Sequence, residues 1–405
     1  MNLRLTVKFA KYKIARLAED FAHMTADVIY GRTKSRPAEV YGMFLKALSH
    51  IFEAIVRLRH IMYRNRILRD APLGCMVVVV GNLTVGGTGK TPIVEKFARS
   101  LSDRGRKVAI LSRGYKSKSD GIIAKFMRWM THGEGPKPKV VSDGKNVLLD
   151  SEVAGDEPYM LARNLKNVVV IVDKNRVRAG HYAITQFGVD TLVLDDGFQY
   201  LPLRGQVKLL LVDKTNPFGN MHLLPGGILR EPISHLRRAS YVFLTKSDGK
   251  KSPDLERIIH TYNPSVEIIE CAHKLEKLVK FDTSEDFPLK ILDGKKVACF
   301  SAIAAPDSFE GFLEELGAEL VLKRRFLDHH RFEERELDAF FSDAAAAGAE
   351  LAVTTEKDSV RIRPDYVAKI PFYYTRLEIQ ILSGADDFEN AVEKICYPKR
   401  RADAD

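Results

Sequence analysis

The stretch GNLTVGGTGKTP, residues 81–92, decides how the chain is to be read. Gly89, Lys90 and Thr91 close it in the order of a phosphate-binding loop, G-x-x-x-x-G-K-[ST]. Thr84 stands where that pattern has its first glycine, and Pro92 follows where a helix should begin. Neither removes what the loop needs. The cradle is backbone, running through Thr84, Val85, Gly86, Gly87, Thr88 and Gly89, and glycine lets N–H groups approach phosphate oxygens closely. Lys90 supplies a cation for the β- and γ-phosphates and Thr91 a hydroxyl for Mg2+. Proline is accepted in a first helical turn, where its missing N–H has no intrahelical partner. The competing reading is a glycine-rich turn with a chance GKT.

The surroundings favour the loop. Met76–Val80 is an unbroken apolar run that suits a buried parallel strand, and Val94–Leu101 reads as the following helix. Val108–Ser112, Val168–Asp173, Thr191–Asp195, Leu209–Asp213 and Tyr241–Thr245 continue as strands, with helical stretches between most of them. That order predicts a P-loop NTPase-like α/β fold, a doubly wound and mostly parallel sheet that binds ligands at the carboxyl ends of its strands. A second, smaller α/β unit is expected from near Lys290. Its strands are Lys296–Phe300, Leu320–Phe326, Leu351–Thr355 and Phe372–Tyr374, and its helices Ser308–Leu316 and Glu334–Ala347. Leu275–Phe281 and Leu377–Leu382 flank it and can pair as a hinge, with Phe388–Ile395 returning as a helix. The organisation expected is a helical segment over 1–70, a P-loop core over 71–275 and a hinge strand with linker over 276–289. The smaller unit follows over 290–376, then a return strand, helix and tail over 377–405.

Charge separates the N-terminal segment from the rest. Of a net +10 over 405 residues, +9 lies between Met1 and Arg69, so the body is almost neutral. From Val40 to Met62, apolar residues recur at three- and four-residue steps, among them Phe44, Leu45, Ile51, Phe52, Ile55 and Leu58, with Arg57, Arg59 and Lys46 on other faces. Leu3–Ile29 is similar but less regular. Such a helix either packs on its own core or lies in an anionic membrane interface. A neutral body without an aromatic-basic surface argues against nucleic acid. No run of about eighteen apolar residues predicts a membrane span. Cys75, Cys271, Cys299 and Cys396 are scattered, with no C-x-x-C pair, and read as free thiols.

Further chemistry clusters after the predicted strands. LVLDD, Leu192–Asp196, is an apolar strand ending in two aspartates, the usual second half of a nucleotide–Mg2+ site, though Asp-Asp-Gly is also a common turn. GDEP, Gly155–Pro158, offers Asp156 as a base on a hydroxyl or as a helix cap. NPFGNMHLLPGGILREP, Asn216–Pro232, is a long loop in which Arg230 can clamp a phosphate only if the loop folds over the site. Asp328-His329-His330 suits proton transfer better than zinc. LTKSD, Leu244–Asp248, is either a polar turn or a guanine-reading segment.

Together, GNLTVGGTGKTP, LSRGY (Leu111–Tyr115), GDEP, NRVRAG (Asn175–Gly180), LDDGFQ (Leu194–Gln199), PFGN…LLPGGILREP, DHH and TTEKD (Thr354–Asp358) occur in order. The set resembles the tetraacyldisaccharide 4'-kinase family over roughly residues 77–382, and that family accepts Ser or Thr at the position of Thr84. The resemblance implies an ATP- and Mg2+-dependent kinase acting on the 4'-hydroxyl of a tetraacylated disaccharide 1-phosphate in lipid A biosynthesis. It further implies work at the cytoplasmic face of a bacterial inner membrane. It carries Lys90 and Thr91 over as phosphate and Mg2+ contacts, Asp195 as a further metal contact and Asp156 as the base assisted by His329. Arg176, Asp196, Gln199 and Arg230 carry over as nucleotide or transition-state contacts.

Overall fold

The computed structural model describes residues 24–29, 32–33, 35–114, 137–328 and 330–397. The chain lays down β1 (Met76–Asn82), β2 (Val108–Ser112), β3 (Lys139–Asp143), β4 (Val168–Val172), β5 (Thr191–Leu194), β6 (Val207–Asp213) and β7 (Tyr241–Thr245). It continues with β8 (Glu267–Lys280), β9 (Asp286–Phe287), β10 (Lys296–Ser301), β11 (Glu319–Arg325), β12 (Leu351–Thr355) and β13 (Phe372–Ser383). All belong to one sheet, ordered β11-β10-β12-β13-β8-β7-β6-β1-β5-β2-β4-β3, with β9 on the flank of β8. Pairing is parallel except for β3 with β4, β8 with β13 and β8 with β9.

The loop-bearing strand is central because its sequence fits nowhere else. β1, MVVVVGN, is buried from Val77 onward and lies between β5 and β6. Its alternate residues enter opposite layers, as strand geometry requires. Val78 and Val80 meet Ile93, Val94 and Phe97 of the helix Lys90–Asp103, whereas Val77 and Val79 meet Leu192, Leu194 and Leu210. Two further apolar layers flank the other half of the sheet, one built on Phe300, Phe340 and Phe372, the other on Val297, Leu313 and Val353.

β8 joins the two halves. Its first residues pair in parallel with β7, Tyr241 opposite Glu267. From Glu270 to Lys280 it runs antiparallel to β13, with Leu275 opposite Leu377, so the expected pairing of these segments is present but begins earlier in β8. The helix Ala385–Cys396 returns to the first half, where Phe388 meets Phe97 with ring centroids 4.9 Å apart. β3 is an antiparallel edge strand that the sequence reading did not contain.

The helix Arg36–Arg64 starts at Ser35, whose hydroxyl accepts from the Ala38 amide, with Pro37 in the first turn. It touches the core through a narrow strip. Leu45 and Ser49 are buried, and the Ser49 hydroxyl donates to the Leu223 carbonyl at 2.7 Å. The apolar residues do not all face inward: Val40, Met43, Phe44, Ile51, Ile55 and Leu58 are each more than half exposed. The expected helix over Leu3–Ile29 is described only at residues 24–29, which are helical; the rest, and the tail from Pro398, lie outside the described residues. No helix among the described residues is long and apolar enough to cross a membrane. The four cysteines are free, and only Cys75 is less than buried.

Candidate active site

The sheet delivers its polar residues to one place, past the carboxyl ends of β1 and β5. The loop after β1 turns through Gly86, at φ 110°, and Gly89, at φ 72°, directly into the helix Lys90–Asp103. Only glycine is at ease at residue 89. Beyond the positive φ, a Cβ there would lie 2.6 Å from His273 Nε2 of β8. Pro92 occupies the first turn, as expected. At the same helix end, the Thr88 hydroxyl is buried without a hydrogen-bond partner among the described residues.

The long loop of residues 216–232 folds over this turn. Leu229 bridges Thr84, the Val85 amide donates to the Ile228 carbonyl at 2.8 Å, and the Arg230 amide donates to the Leu83 carbonyl at 2.6 Å. The condition for Arg230 to reach the site is therefore met. Its guanidinium donates to the Thr84 carbonyl at 2.9 Å, to Asn82 Oδ1 at 3.1 Å and to Asp196 Oδ2 at 3.0 Å. Lys90 Nζ lies 3.3 Å from both Asn82 Oδ1 and Asp196 Oδ1. Gln199 completes the ring by donating to the Asn82 carbonyl at 2.8 Å. Asn82 was not singled out in the sequence, although it sits inside the quoted loop.

The two aspartates after β5 are held differently. Asp195 is buried, with Oδ2 accepting from Ser112 at 3.2 Å and Oδ1 lacking a partner among the described residues. Burial first, then the charges of Glu157 and Asp196, push its carboxyl up to about 7, against the pull of Lys90. Burial also acts to raise Asp196, but Lys90 and Arg230 more than offset it and hold the group below the usual range. Arg176 opens the helix Arg176–Phe187 and is buried, stacked 4.6 Å from the Tyr200 ring centroid, and its Nε has no partner among the described residues. Burial lowers its pKa, and the charges of Asp195 and Asp196 act on it.

GDEP begins a helix, though Gly155 is the cap and Asp156 the first helical residue, which corrects the reading of Asp156 as the cap. Its carboxylate instead reaches across to the second half of the sheet. Arg361 Nε donates to Oδ2 at 2.9 Å and Arg331 Nη2 to Oδ1 at 3.2 Å. Arg361 is fully buried and also donates to Asp358 Oδ1 of the TTEKD segment at 2.8 Å. Neither arginine was foreseen. Arg331 directly follows the DHH run; residue 329, expected to be the assisting histidine, lies outside the described residues. His330 faces its own half, 2.9 Å from Glu336 and stacked on Phe326. Tyr115 of the LSRGY motif is likewise outside the described residues. In LTKSD, Asp248 accepts from Lys214, which follows β6, at 3.2 Å and from the Lys250 amide of its own turn at 3.1 Å.

Comparison with known proteins adds the family context. Residues 41–397 match the family described as Tetraacyldisaccharide-1-P 4'-kinase. The chain is 41% identical over 346 residues to a tetraacyldisaccharide 4'-kinase from Anaeromyxobacter dehalogenans (strain 2CP-C), spanning 84% of this chain and 87% of that one. It is 31% identical over 398 residues to one from Halothermothrix orenii, spanning 94% and 100%. Among solved structures, it is similar to the "apo" form of LpxK from Aquifex aeolicus in complex with ATP, with a TM-score of 0.68 and 28% identity over 87% of this chain and 98% of that one.

Proposed function

The chain belongs to the tetraacyldisaccharide 4'-kinase family, and from that premise we propose how its own residues carry the ATP-dependent phosphorylation of the 4'-hydroxyl in lipid A biosynthesis. The backbone from Thr84 to Thr91 cradles the β- and γ-phosphates, with Thr84 and Val85 as its outer wall. Lys90 and Arg230, which share Asp196 and Asn82, direct their charge at the phosphoryl oxygens. Gln199 fixes Asn82, and Arg176 adds a cation beside the aspartates. Phosphoryl transfer asks mainly for positioning and charge neutralisation, which this set supplies.

The donor set fits Mg2+. Asp195 keeps one buried carboxylate oxygen without a partner among the described residues, near the Ser112 hydroxyl and under the charges of Glu157 and Asp196, and hard oxygen ligands are what Mg2+ takes. Thr91 and Asp195 would hold it, and when bound it neutralises charge on the β- and γ-phosphates. Asp156 is read as the base on the sugar hydroxyl. Arg361, fully buried, fixes Oδ2, while Oδ1 meets Arg331, which is 43% exposed and can yield to an incoming hydroxyl. His329 is read as the assisting group.

The substrate's acyl chains leave a bilayer only at high cost, so the enzyme goes to them. We place the helix Arg36–Arg64 in the interface at the cytoplasmic face of the inner membrane, with its outward apolar stripe in lipid and its arginines and Lys46 at the headgroups. Residues 71–275 and 290–376 are read as two units, with β8 and β13 as the hinge between them.

One observation carries the reading: Lys90, Arg230 and both aspartates converge on the phosphate loop. The test is transfer of label from ATP to the tetraacyldisaccharide 1-phosphate in detergent with Mg2+. A doubly phosphorylated lipid is expected. Lys90→Ala should lower transfer by about a hundredfold or more. Asp156→Asn should lower turnover by roughly 10²–10⁴ at near-normal ATP affinity. Near-normal turnover in either variant removes that residue from the mechanism, and loss of ATP binding in Asp156→Asn makes Asp156 structural instead.

A further inference from the structure

Behind Arg230, the next residue in the chain gathers three side chains from two elements on one buried carboxylate. Glu231 is 2% exposed. Its Oε2 takes His235 Nδ1 at 2.9 Å and the Arg238 guanidinium, and its Oε1 takes His60 Nε2 of the helix Arg36–Arg64 at 3.3 Å. Arg238 also donates to the Phe198 carbonyl at 2.8 Å and covers the Phe198 ring at 4.2 Å, within the LDDGFQ segment. The His60, Glu231 and His235 ligand atoms lie within 4.8 Å of one another, a metal-like spacing. Arg238 already brings the cation that this carboxylate needs, so the cluster is an ion-pair hub.

The hub is joined to the site through both of its polar segments. Arg230 follows one path, through its chain neighbour Glu231. Asp196 and Gln199 follow the other, through Phe198 and Arg238. His60 adds the helix that carries the outward apolar stripe. We propose that Glu231 is a positioning residue: by holding His60 and Arg238 on one carboxylate it sets Arg230 against Asp196, so that the seating of the N-terminal helix governs phosphoryl transfer. This rests on the role given to Arg230 above.

The experiment is a set of double-mutant cycles on the full chain, with kcat and KM for ATP measured in detergent at saturating lipid. A misplacement of about 1 Å can cost up to about a hundredfold in rate, so Glu231→Gln is expected to lower kcat about tenfold or more, with KM for ATP changed less than about twofold. His60→Phe should lower kcat about threefold, and His60→Gln, which keeps a donor, should restore it. In an Arg230→Ala background both effects should vanish, because the residue they act through is gone. Equal fractional losses in both backgrounds, or none in the parent, overturn the inference while leaving Arg230 in place. An Arg230→Ala enzyme as active as the parent overturns the assignment of Arg230 itself, and the inference with it. If Glu231→Gln does not fold, the His60→Phe and His60→Gln pair carries the same test.

Discussion

Asp195 and Asp196 are chain neighbours whose surroundings drive them apart. Asp196 faces Lys90 and Arg230 and stays ionised, whereas Asp195 is buried beside Glu157 and its carboxyl rises to about 7. A carboxyl raised on folding contributes stability that is complete below its unfolded value, near 4, and is lost as pH climbs through about 7. A divalent cation changes this, because it binds the ionised form. The rise in melting temperature on adding Mg2+, without nucleotide, is therefore expected to be larger at pH 8 than at pH 6. Asp195→Asn should flatten that difference, and an equal rise at both pH values in the parent would remove Asp195 from the metal site.

At the scale of elements, the helix Arg36–Arg64 makes the sharpest claim. Phe44, Ile51 and Ile55 are 56%, 60% and 58% exposed on a helix that holds the core by a narrow strip. Replacing all three by serine removes roughly 3 kcal/mol or more of apolar transfer, so partition onto anionic vesicles should fall about a hundredfold with nucleotide affinity unchanged. Vesicle binding equal to the parent's would mean that the stripe serves some other contact. How far this was legible follows from the same helix. The apolar spacing gave the element, but it did not give the facing, because Leu45 and Phe44 look alike until a core is placed beside one of them. β1, its loop and LVLDD were legible because an all-apolar run ending in glycine or aspartate has few other uses. The start of β8 was not, since Glu267, Glu270 and His273 interrupt its apolar pattern; Glu270 is satisfied there by Ser247, at 2.6 Å, and by Lys214. Arg331 and Arg361 were missed because their partner Asp156 lies 175 and 205 residues away in the chain.

For the whole molecule, a second buried cation, besides Arg361, crosses between the halves. Arg376 on β13 pairs with Glu95 of the helix Lys90–Asp103 and with Glu356 after β12, and Asn164 donates to both carboxylates, at 3.2 and 2.7 Å. Removing one partner of such a set leaves buried charge uncompensated. Arg376→Met is expected to lower stability by about 3–5 kcal/mol in denaturant unfolding. Its cost should shrink when Glu95→Gln and Glu356→Gln are added, and purely additive losses would show that the three side chains do not act together.

β8 is at once the outer neighbour of β7 and the antiparallel partner of β13. No single cut in the chain therefore yields two self-sufficient pieces. Ending a fragment before Glu267 bares the edge of β7, a strand buried at every residue. Keeping β8 but stopping before Phe372 leaves its far side unpaired. Either fragment presents an open, apolar strand edge, the kind of surface that recruits other chains into aggregates. For expression, dissection or insertion of a reporter, this enzyme is one piece, and its tolerant joints are to be sought in exposed turns away from β8, such as Lys145–Asn146 after β3.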